Sequence, residues 1–372
     1  MPARARRIHG MLVLAALLLA PASQAAFRTY SQLWQIGGHS LPDLDELCLP
    51  LGELEQPAQP RRNPALISGS PGWGLAVLNQ FQTGDARNTS TRAVPRAEPW
   101  LPAAAALRGW AGPLALGLGW EQRYNSHEQT LITPFDSLSA WADWDARLER
   151  WSLQTAWEIL PYCCARPGLR LGAGLSRNSL RVDQVEAERY LGAWSWQAGA
   201  RLQTERIFLA VSHESRVTYD HTRPFLHLID GRAYRDTIQV WGRLPRSWHL
   251  QAGIVPRAGW SIDLALRHHR WSEQLLGFRD RLEAGLTLHH GLPGRLNWHL
   301  GVCSSGSDPV TGTWLDQRFA GEQNTFFLMG GLSAPLGPAR LDLKVADSNL
   351  GPGAYRRQTI VQAGLSATLP GF

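Results

Sequence analysis

The stretch LALGLGW, from Leu114 to Trp120, places a large apolar residue at every second position and alanine or glycine between them. Side chains along a β-strand point alternately to opposite faces, so one face of this stretch would carry leucine and tryptophan and the other only small residues. A strand that shows one face to lipid and the other to a lumen alternates in this way over about ten residues. The stretch therefore predicts one strand of a transmembrane β-barrel.

The same alternation recurs along most of the chain. Trp194, Trp196 and Leu202 share one predicted face, and the opposite face carries serine, glutamine, glycine and arginine. Similar segments begin at Leu169, Trp248, Trp260, Leu282, Leu296, Leu341 and Val361. The chain contains 17 tryptophans, and indole rings collect at the two membrane interfaces of a barrel. These segments indicate an all-β chain that crosses a membrane as strands.

Turn residues separate these segments in two ways. Tight turns that contain proline are predicted at 244–246, 256–259, 292–294 and 335–338. Longer polar stretches at 218–236 and 304–324 are predicted to be loops on the opposite rim. Short turns on one rim and long loops on the other are typical of outer-membrane barrels.

A soluble β-sandwich would also alternate, but it would not need tryptophan at so many strand ends on the apolar face. We therefore predict an all-β fold for residues 71–372, a transmembrane antiparallel β-barrel of about 14 strands with a range of 12 to 16.

The N-terminus has the features of an export signal. Arg4, Arg6 and Arg7 precede an apolar run from Met11 to Ala20, which is too short to span a bilayer. Small residues follow, and they predict cleavage near Ala26. Residues 1–26 are therefore predicted to be a signal peptide, and the bacterial outer membrane is the predicted location of the mature chain.

Residues 27–70 differ from the rest, because they are rich in proline, leucine and acidic residues and lack sustained alternation. They are predicted to form a periplasmic extension or a plug folded into the lumen. The net charge is +6, and no run of lysine or arginine of the kind that binds nucleic acid is present.

The four cysteines do not predict a metal site. Cys48, Cys163, Cys164 and Cys303 have spacings that match no zinc pattern. Disulfides persist in an exported protein, so a bridge between Cys48 and Cys303 is possible, as are unpaired thiols. No metal and no cofactor is predicted.

Several short motifs resemble one family of transporters. Leu244-Pro245-Arg246 precedes a strand, a turn and a second strand, after which Trp271-Ser272-Glu273 follows. Downstream, Phe278-Arg279-Asp280 leads into Leu282-Glu283-Ala284-Gly285, and near the N-terminus stands Asn63-Pro64-Ala65. In this order the motifs resemble the outer-membrane hydrophobic-compound transporters typified by the long-chain fatty acid transporter. The resemblance covers the chain from Leu244 onward, together with the one N-terminal tripeptide.

The resemblance implies a 14-stranded barrel with an N-terminal hatch that lets fatty acids or other apolar small molecules into the membrane. It also implies that Asn63, Pro64 and Ala65 belong to the plug and to any ligand site there. Related barrels in the same broad family act instead as partners of secretion or attachment machinery.

Alternation also predicts which polar residues face the lumen. They are Arg170, Arg201, Asp263, Arg267, Glu283, Asp342 and Lys344. A mixed-charge lumen suits a plugged barrel and an open aqueous pore alike. A path for hydrophobic molecules needs an apolar inner patch, which the alternation by itself does not locate.

Three functions are compatible with the sequence. The first is passive uptake of hydrophobic small molecules such as fatty acids, and the second is a structural or assembly barrel without a substrate. The third is an outer-membrane hydrolase that uses His213 and Ser215. These two residues could share one strand face, whereas Glu214 between them would lie on the opposite face. We favour the first and predict that the chain is not an enzyme.

The expected partners are outer-membrane lipid, hydrophobic small molecules and, during biogenesis, the barrel-assembly machinery. The last expectation rests on Phe372, which ends the chain after an amphipathic segment as barrel-assembly signals usually do.

Overall fold

The computed structural model describes residues 63–67, 72–88, 91–92, 98–132, 140–162, 167–184, 187–229, 232–273, 280–292, 294–305, 325–348 and 356–370. The strands are β1 (Gly72–Asn88), β2 (Thr91–Arg92), β3 (Glu98–Ala111), β4 (Leu114–Ile132), β5 (Ala140–Leu160), β6 (Gly168–Gln184), β7 (Ala187–Gln203), β8 (Ile207–Glu214), β9 (Val217–Ile229), β10 (Arg232–Leu244), β11 (Ser247–Arg257), β12 (Trp260–His269), β13 (Arg281–His290), β14 (Asn297–Ser305), β15 (Thr325–Leu336), β16 (Ala339–Asp347) and β17 (Arg356–Pro370). Two 3-10 turns, Pro64–Leu66 and Trp271–Glu273, accompany them. None of the helical segments among these residues has the length and apolar character needed to cross a bilayer.

The strands form a closed antiparallel barrel. Neighbours in the chain pair with one another, and β1 pairs with both β17 and β3, which closes the sheet. The sheet contains 15 strands, of which the two-residue β2 only bridges β1 and β4, so 14 strands make up the wall. The predicted fold class and the central strand count are confirmed.

Two predicted turn assignments are wrong. Residues 218–236 do not form an irregular loop, because β9 and β10 pair over their whole lengths as a separate two-stranded hairpin. Leu244-Pro245-Arg246 is not a tight turn between neighbouring wall strands either, since β11 pairs with β8 and not with β10. The hairpin leaves the wall between β8 and β11, and these three residues mark its return.

The two rims differ as the sequence predicts. Two-residue turns join β3 to β4, β11 to β12 and β15 to β16 at one rim. Gly112, Gly259 and Gly337 have φ angles of 59°, 79° and 68° in these turns, a backbone region that side chains with a Cβ rarely adopt. The β9–β10 hairpin and the turn Trp271–Glu273 lie at the other rim, called the long-loop rim below.

The outer face is apolar, as a wall in contact with lipid must be. Leu116, Leu153 and Leu286 are each about half exposed, at 51%, 59% and 49%. Tryptophans lie near both ends of the strands, with Trp73 and Trp157 towards the tight turns and Trp151 and Trp248 towards the long-loop rim. This exterior is that of a barrel embedded in a bilayer.

Strand length divides the wall into a tall and a low side. Strands β4 to β7 have 19, 21, 17 and 17 residues, whereas β8 and β11 to β14 have 8, 11, 10, 10 and 9. A membrane strand needs about 9–11 residues, so the low side is near the minimum and the tall side extends beyond the bilayer.

Several predictions fall outside the described residues. They are the signal peptide with its cleavage near Ala26, most of the segment 27–70, the residues Cys48, Cys163 and Cys164, and the C-terminal Phe372. These remain predictions.

Candidate functional site

A short N-terminal segment, residues 63–67, lies inside the barrel. Asn63 caps its 3-10 turn, because the Asn63 Oδ1 atom accepts a hydrogen bond of 3.0 Å from the N–H of Ala65. The Asn63 amide also donates to the carbonyl of Val211 on β8, at 3.2 Å. All five residues are buried. The structure thus places Asn63, Pro64 and Ala65 in the lumen, against the wall.

The wall makes room for this segment with a row of small residues, called the small-residue row. Cross-strand register joins Ala115, Ala156, Gly172, Gly199 and Ser212 on five consecutive wall strands, β4 to β8. A Cβ atom on Gly172 would overlap the backbone of the segment, and one on Gly199 would overlap the Asn63 side chain. Glycine is required at both positions because the segment's backbone lies directly against theirs.

The end of the segment is fixed by apolar and charged contacts. Ile67 packs against Ala115 and Ala156, with Trp110 beside them. Arg170 donates a hydrogen bond of 3.0 Å to the carbonyl of Ile67, and its guanidinium lies 4.7 Å from the centre of the Trp110 ring. Since these residues lie a few positions from the tight turns, the segment narrows the lumen at that end.

A charge cluster with equal numbers of acids and bases lies above the segment on the same side. The carboxylate of Glu214 lies 3.0 Å from Arg123 and 3.1 Å from Arg150, and Glu121 lies 2.6 Å from Arg150. All four side chains are buried. Burial of charges is tolerated when each has an opposite partner, as it has here.

The base of the β9–β10 hairpin covers the inner wall above this cluster. Val217, Tyr219 and Leu244 pack against Leu148 and Leu180, which point inward from β5 and β6. The hairpin therefore leans over the lumen of the tall side instead of continuing the wall outward.

The opposite side carries a different charge cluster. The carboxylate of Glu283 lies 2.5 Å from both Arg267 and Arg281 and 3.5 Å from His269. Glu283 and Arg267 are 0% and 1% exposed. One carboxylate thus contacts two guanidinium groups, so its removal would break two buried ion pairs at once.

The remaining residues predicted to face the lumen also lie on the inner face. Arg201 lies 5.4 Å from the centre of the Phe208 ring, and Asp263 accepts a hydrogen bond of 3.1 Å from Ser261. Asp342 lies 3.1 Å from Arg340, and Lys344 is buried two positions further along β16.

An apolar inner patch interrupts this polar lining. It consists of Ala265, Cys303, Phe327, Met329, Ala346 and Ile360. Register places Cys303 opposite Phe327, and Met329 opposite Ala346. The Sγ atom of Cys303 lies 3.7 Å from the Sδ atom of Met329. Because Phe327 is the third residue of β15 after the long-loop rim, the patch lies nearer that rim than the tight turns.

The sequence contains a signal for this patch that alternation overlooks. Phe326 to Met329 is a run of four apolar residues, so both strand faces are apolar there. The outward members, Phe326 and Leu328, are 42% and 48% exposed, whereas Phe327 and Met329 are buried. An unbroken apolar run within an alternating strand thus marks an inner apolar position.

The wall is interrupted between β3 and β4. Over the described residues their pairing stops at Ala104 and Glu121, although both strands continue towards the long-loop rim. Pro102 has no N–H to donate to a ladder. The side chain of Gln122 instead donates a hydrogen bond of 3.0 Å to the carbonyl of Pro102. A side-chain contact thus replaces the backbone ladder at this place.

Solved structures with the same arrangement are transport channels. The CymD monoaromatic hydrocarbon channel matches with a TM-score of 0.56 and 13% identity, over 83% of this chain and 91% of that one. The toluene transporter TbuX of Ralstonia pickettii matches with a TM-score of 0.56 and 11% identity, over 82% and 92%. A Pseudomonas aeruginosa FadL homologue has a TM-score of 0.56 and 11% identity, over 83% and 93%.

The chain has the fold of the hydrophobic-compound transporter barrels. The resemblance drawn from the sequence motifs is therefore confirmed at the level of the fold. No protein-family model matches the chain, and no curated protein sequence matches it either.

The tripeptide Trp271-Ser272-Glu273, which contributes to the sequence resemblance, has a structural role at the long-loop rim. The N–H and hydroxyl of Ser272 donate hydrogen bonds of 3.0 and 2.6 Å to Asp280, which precedes β13. Glu273 forms ion pairs with Arg246 and Arg270. The tripeptide 271–273 thus joins the end of β12 to the start of β13 and to the residues where the hairpin returns.

These contacts also set the acidity of Asp280. Partial burial would raise the pKa of this carboxyl, but the two hydrogen bonds from Ser272 outweigh that effect and, with His268 and Arg270 nearby, hold the pKa below its usual value. Asp280 is therefore ionised over the whole physiological range.

His213 and Ser215 have structural contacts at the end of β8. The His213 ring lies on the outer face between Trp196 and Trp248, with ring-centre distances of 5.1 and 4.4 Å. The Ser215 hydroxyl accepts a hydrogen bond of 2.9 Å from the N–H of Trp196. Glu214 points inward to the charge cluster, as the alternation predicts.

Proposed function

We propose that this chain is an outer-membrane barrel for the passive uptake of hydrophobic small molecules. The observation that carries the proposal is the apolar inner patch on β12 and β14 to β17, which side chains of the wall strands form by themselves. An apolar ligand gains free energy only where it leaves water for apolar surface. The names of the similar structures, which are channels for monoaromatic hydrocarbons and toluene, support the same class of ligand.

The ligand would enter from the long-loop rim, because the patch lies nearer to that rim. Met329 and Phe327 supply a thioether and an aromatic ring, and the smaller side chains of Cys303 and Ala346 lie beside them. Such a surface accepts both flat rings and alkyl chains, since thioethers adapt to either. Fatty acids and monoaromatic hydrocarbons are therefore the two substrate classes to compare.

The ligand would leave sideways, through the interruption between β3 and β4. Segment 63–67 contacts the inner wall near the tight turns, and in this proposal it closes a straight path at that end. The gap begins just above Trp120, at the level where tryptophans mark the membrane interface, so the ligand would pass into the bilayer at its headgroup boundary. The Gln122 side chain is the group that would have to move.

In this proposal an N-terminal signal peptide exports the chain, and residues 27–70 act as the plug from which segment 63–67 comes. Asn63, Pro64 and Ala65 then close the lumen beneath the ligand. The barrel-assembly machinery inserts the chain into the membrane.

The first experiment replaces the apolar surface without changing its volume. Met329→Gln introduces an amide without a partner, which costs roughly 1–3 kcal/mol, so uptake of a labelled alkyl or aryl probe by expressing cells should fall about fivefold or more. Met329→Leu is the matched control and should keep uptake near that of the wild type. Equal uptake by both variants, with equal amounts of folded barrel, would remove the basis of the proposal.

A second experiment tests the lateral route. Pro102→Val supplies the missing N–H and a strand-forming side chain, so β3 and β4 should pair further and uptake should fall while the barrel stays folded. Pro338→Ala, in a tight turn, is the control. Undiminished uptake by Pro102→Val would place the exit elsewhere.

One observation favours a second candidate, the structural or assembly barrel. The Glu283 cluster is fully buried, which is a property of a lumen filled by its own side chains. Mass spectrometry of molecules retained through purification in a short-chain detergent separates the two functions. One enriched class of apolar molecule, lost when residues 27–70 are deleted, supports uptake, and a folded barrel without any such molecule supports the second candidate.

A further inference from the structure

The tall side carries a row of aromatic and basic side chains on its outer face. Cross-strand register places Trp120 opposite Trp151, Trp151 opposite Arg177, and Arg177 opposite Trp194, on the four strands β4 to β7. Trp151 and Trp194 are 51% and 59% exposed. The row therefore faces outward, at the level where tryptophans mark a membrane interface.

Arg177 is held flat within this row. Its guanidinium lies 5.4 Å from the centre of the Trp194 ring. It also covers the position where a Cβ atom of Gly192 would stand, so the absence of a side chain at Gly192 gives it room. A guanidinium carries paired N–H groups whose spacing matches the oxygens of a phosphate group.

Two more arginines stand directly above, towards the long-loop rim. Arg147 and Arg181 lie opposite each other in register, and both point outward. Glu149 forms an ion pair of 2.5 Å with Arg147. Like charges opposite each other destabilise a strand pair unless an anion lies between or beside them, and Glu149 supplies one such anion. The row and this pair together place three guanidinium groups just above the apolar band.

We propose that Arg177, Arg147 and Arg181 bind the phosphorylated headgroup of a lipid in the membrane leaflet on the long-loop side. The acyl chains of that lipid would lie along Leu153 and Leu175, which are 59% and 49% exposed below the row. Basic surfaces at the level of the headgroups recognise anionic lipids in this way. The inference does not depend on the proposed uptake, since it concerns the outer face alone.

The chain provides a matched control at the opposite rim. The Arg257 guanidinium lies 4.8 Å from the centre of the Trp260 ring, beside the tight turn between β11 and β12. It has the same stacked geometry but lies on the other side of the apolar band. A lipid site that depends on position should be lost at Arg177 and not at Arg257.

The test measures lipid adducts by native mass spectrometry of the full barrel in detergent. The probe is diphosphoryl lipid A, and the same lipid without its phosphates is the comparison. Arg177→Gln should weaken phosphorylated-lipid binding about fivefold, which is the usual contribution of one basic residue near a headgroup. Arg257→Gln should bind as the wild type does, and the lipid without phosphates should bind weakly to all three proteins.

Two outcomes would overturn the site. Equal losses for Arg177→Gln and Arg257→Gln would mean that only net charge matters, and equal binding of both lipids would mean that phosphate is not recognised. A third arm of the test uses a chelator, because Asp145 and Asp183 form a register pair two positions beyond Arg147 and Arg181. Aspartates at these positions could bind a divalent cation that bridges to the lipid. Binding that survives the chelator supports direct contact with guanidinium, whereas loss of wild-type binding would assign recognition to a bridging divalent cation and contradict the proposal.

Discussion

Within the apolar band the two halves of the barrel have similar outer faces, but their inner faces differ. Strands β4 to β8 line the lumen with the small-residue row and a cluster of two acids and two bases. Strands β12 to β17 line it with the apolar inner patch and with a cluster in which one carboxylate contacts two arginines. Within that band the outer face has only to match lipid, so the strands of both halves carry similar apolar side chains there. The inner faces are divided between holding the N-terminal segment and offering an apolar surface.

The largest expected effect separates the two charge clusters. Glu283→Gln should lower the free energy of unfolding by about 3–5 kcal/mol, because it removes the carboxylate that pairs with two buried guanidinium groups. Glu214→Gln should cost less, since Glu121 still lies 2.6 Å from Arg150 and 3.8 Å from Arg123. Urea unfolding followed by tryptophan fluorescence measures both. Equal losses would show that the two clusters do not differ in charge balance.

The next effect concerns the small-residue row. Gly172→Ala places a Cβ against the backbone of Pro64 and Ala65. Overpacking of about 1–3 kcal/mol should raise the ratio of barrels with a displaced segment to barrels with a bound one by about 5- to 150-fold. Swelling of liposomes in a small sugar should then speed up, because the tight-turn end opens. A Cβ atom at Gly174, on the same face, meets the side chains of Gln154 and Gln197 and lies at an ordinary contact distance of 3.5 Å from the carbonyl of Leu153, so Gly174→Ala should leave swelling unchanged. Similar swelling of the two variants would contradict a closing role for the segment.

A smaller effect is expected at the rim that connects the halves. Asp280→Asn weakens the contact with Ser272 and should cost about 1 kcal/mol at pH 7. The pKa of Asp280 is lower in the folded state than in the unfolded state. Its contribution to the free energy of unfolding is therefore fully present above the unfolded-state pKa of about 3.9, and it is lost as the pH falls through the folded-state pKa. The wild type should therefore lose this increment below about pH 4, and the variant should not. Parallel pH profiles of stability would contradict the assignment.

The smallest effect is expected where the halves meet, at β8. His213→Phe replaces one ring by another between Trp196 and Trp248 and should change stability by less than about 0.5 kcal/mol. Uptake should not change, either alone or together with Ser215→Ala. Hydrolysis of an ester substrate by the wild type that disappears in this double variant would revive the hydrolase hypothesis.

The sequence predicts which residues face lipid one by one. It does not predict which inward-facing residues contact one another. Alternation assigns Leu116 and Trp194 to the lipid-facing side. Because side chains alternate with a period of two, the face of one residue fixes the face of every other residue in the strand. The small-residue row joins Ala115 to Ser212 across five strands, and its members become neighbours only when the register between strands is known. The same limit applies to Glu283 and Arg267, which alternation turns inward but cannot bring together.

The hairpin shows a second limit of the sequence. Residues 218–236 contain proline, aspartate and arginine and lack clear alternation, which favours a loop. They pair nonetheless, because a hairpin beyond the membrane needs no lipid-facing side and its strands are free of the alternation rule. The apolar run Phe326–Met329, in contrast, is visible in the sequence. Because it departs from the period of two, it would have indicated the apolar inner position.

The unequal strand lengths determine which bilayers suit the protein. The nine residues of β14 cover roughly 22 Å of thickness at the usual tilt, which is slightly less than an apolar band of about 25 Å. The low side thus has no spare length, whereas the 21 residues of β5 exceed any bilayer. In a thicker membrane both sides of the ring would be mismatched, the low side because its strands end and the tall side because its outer face turns polar above Trp151. The protein therefore suits a thin bilayer, and a thicker one would have to thin around its wall.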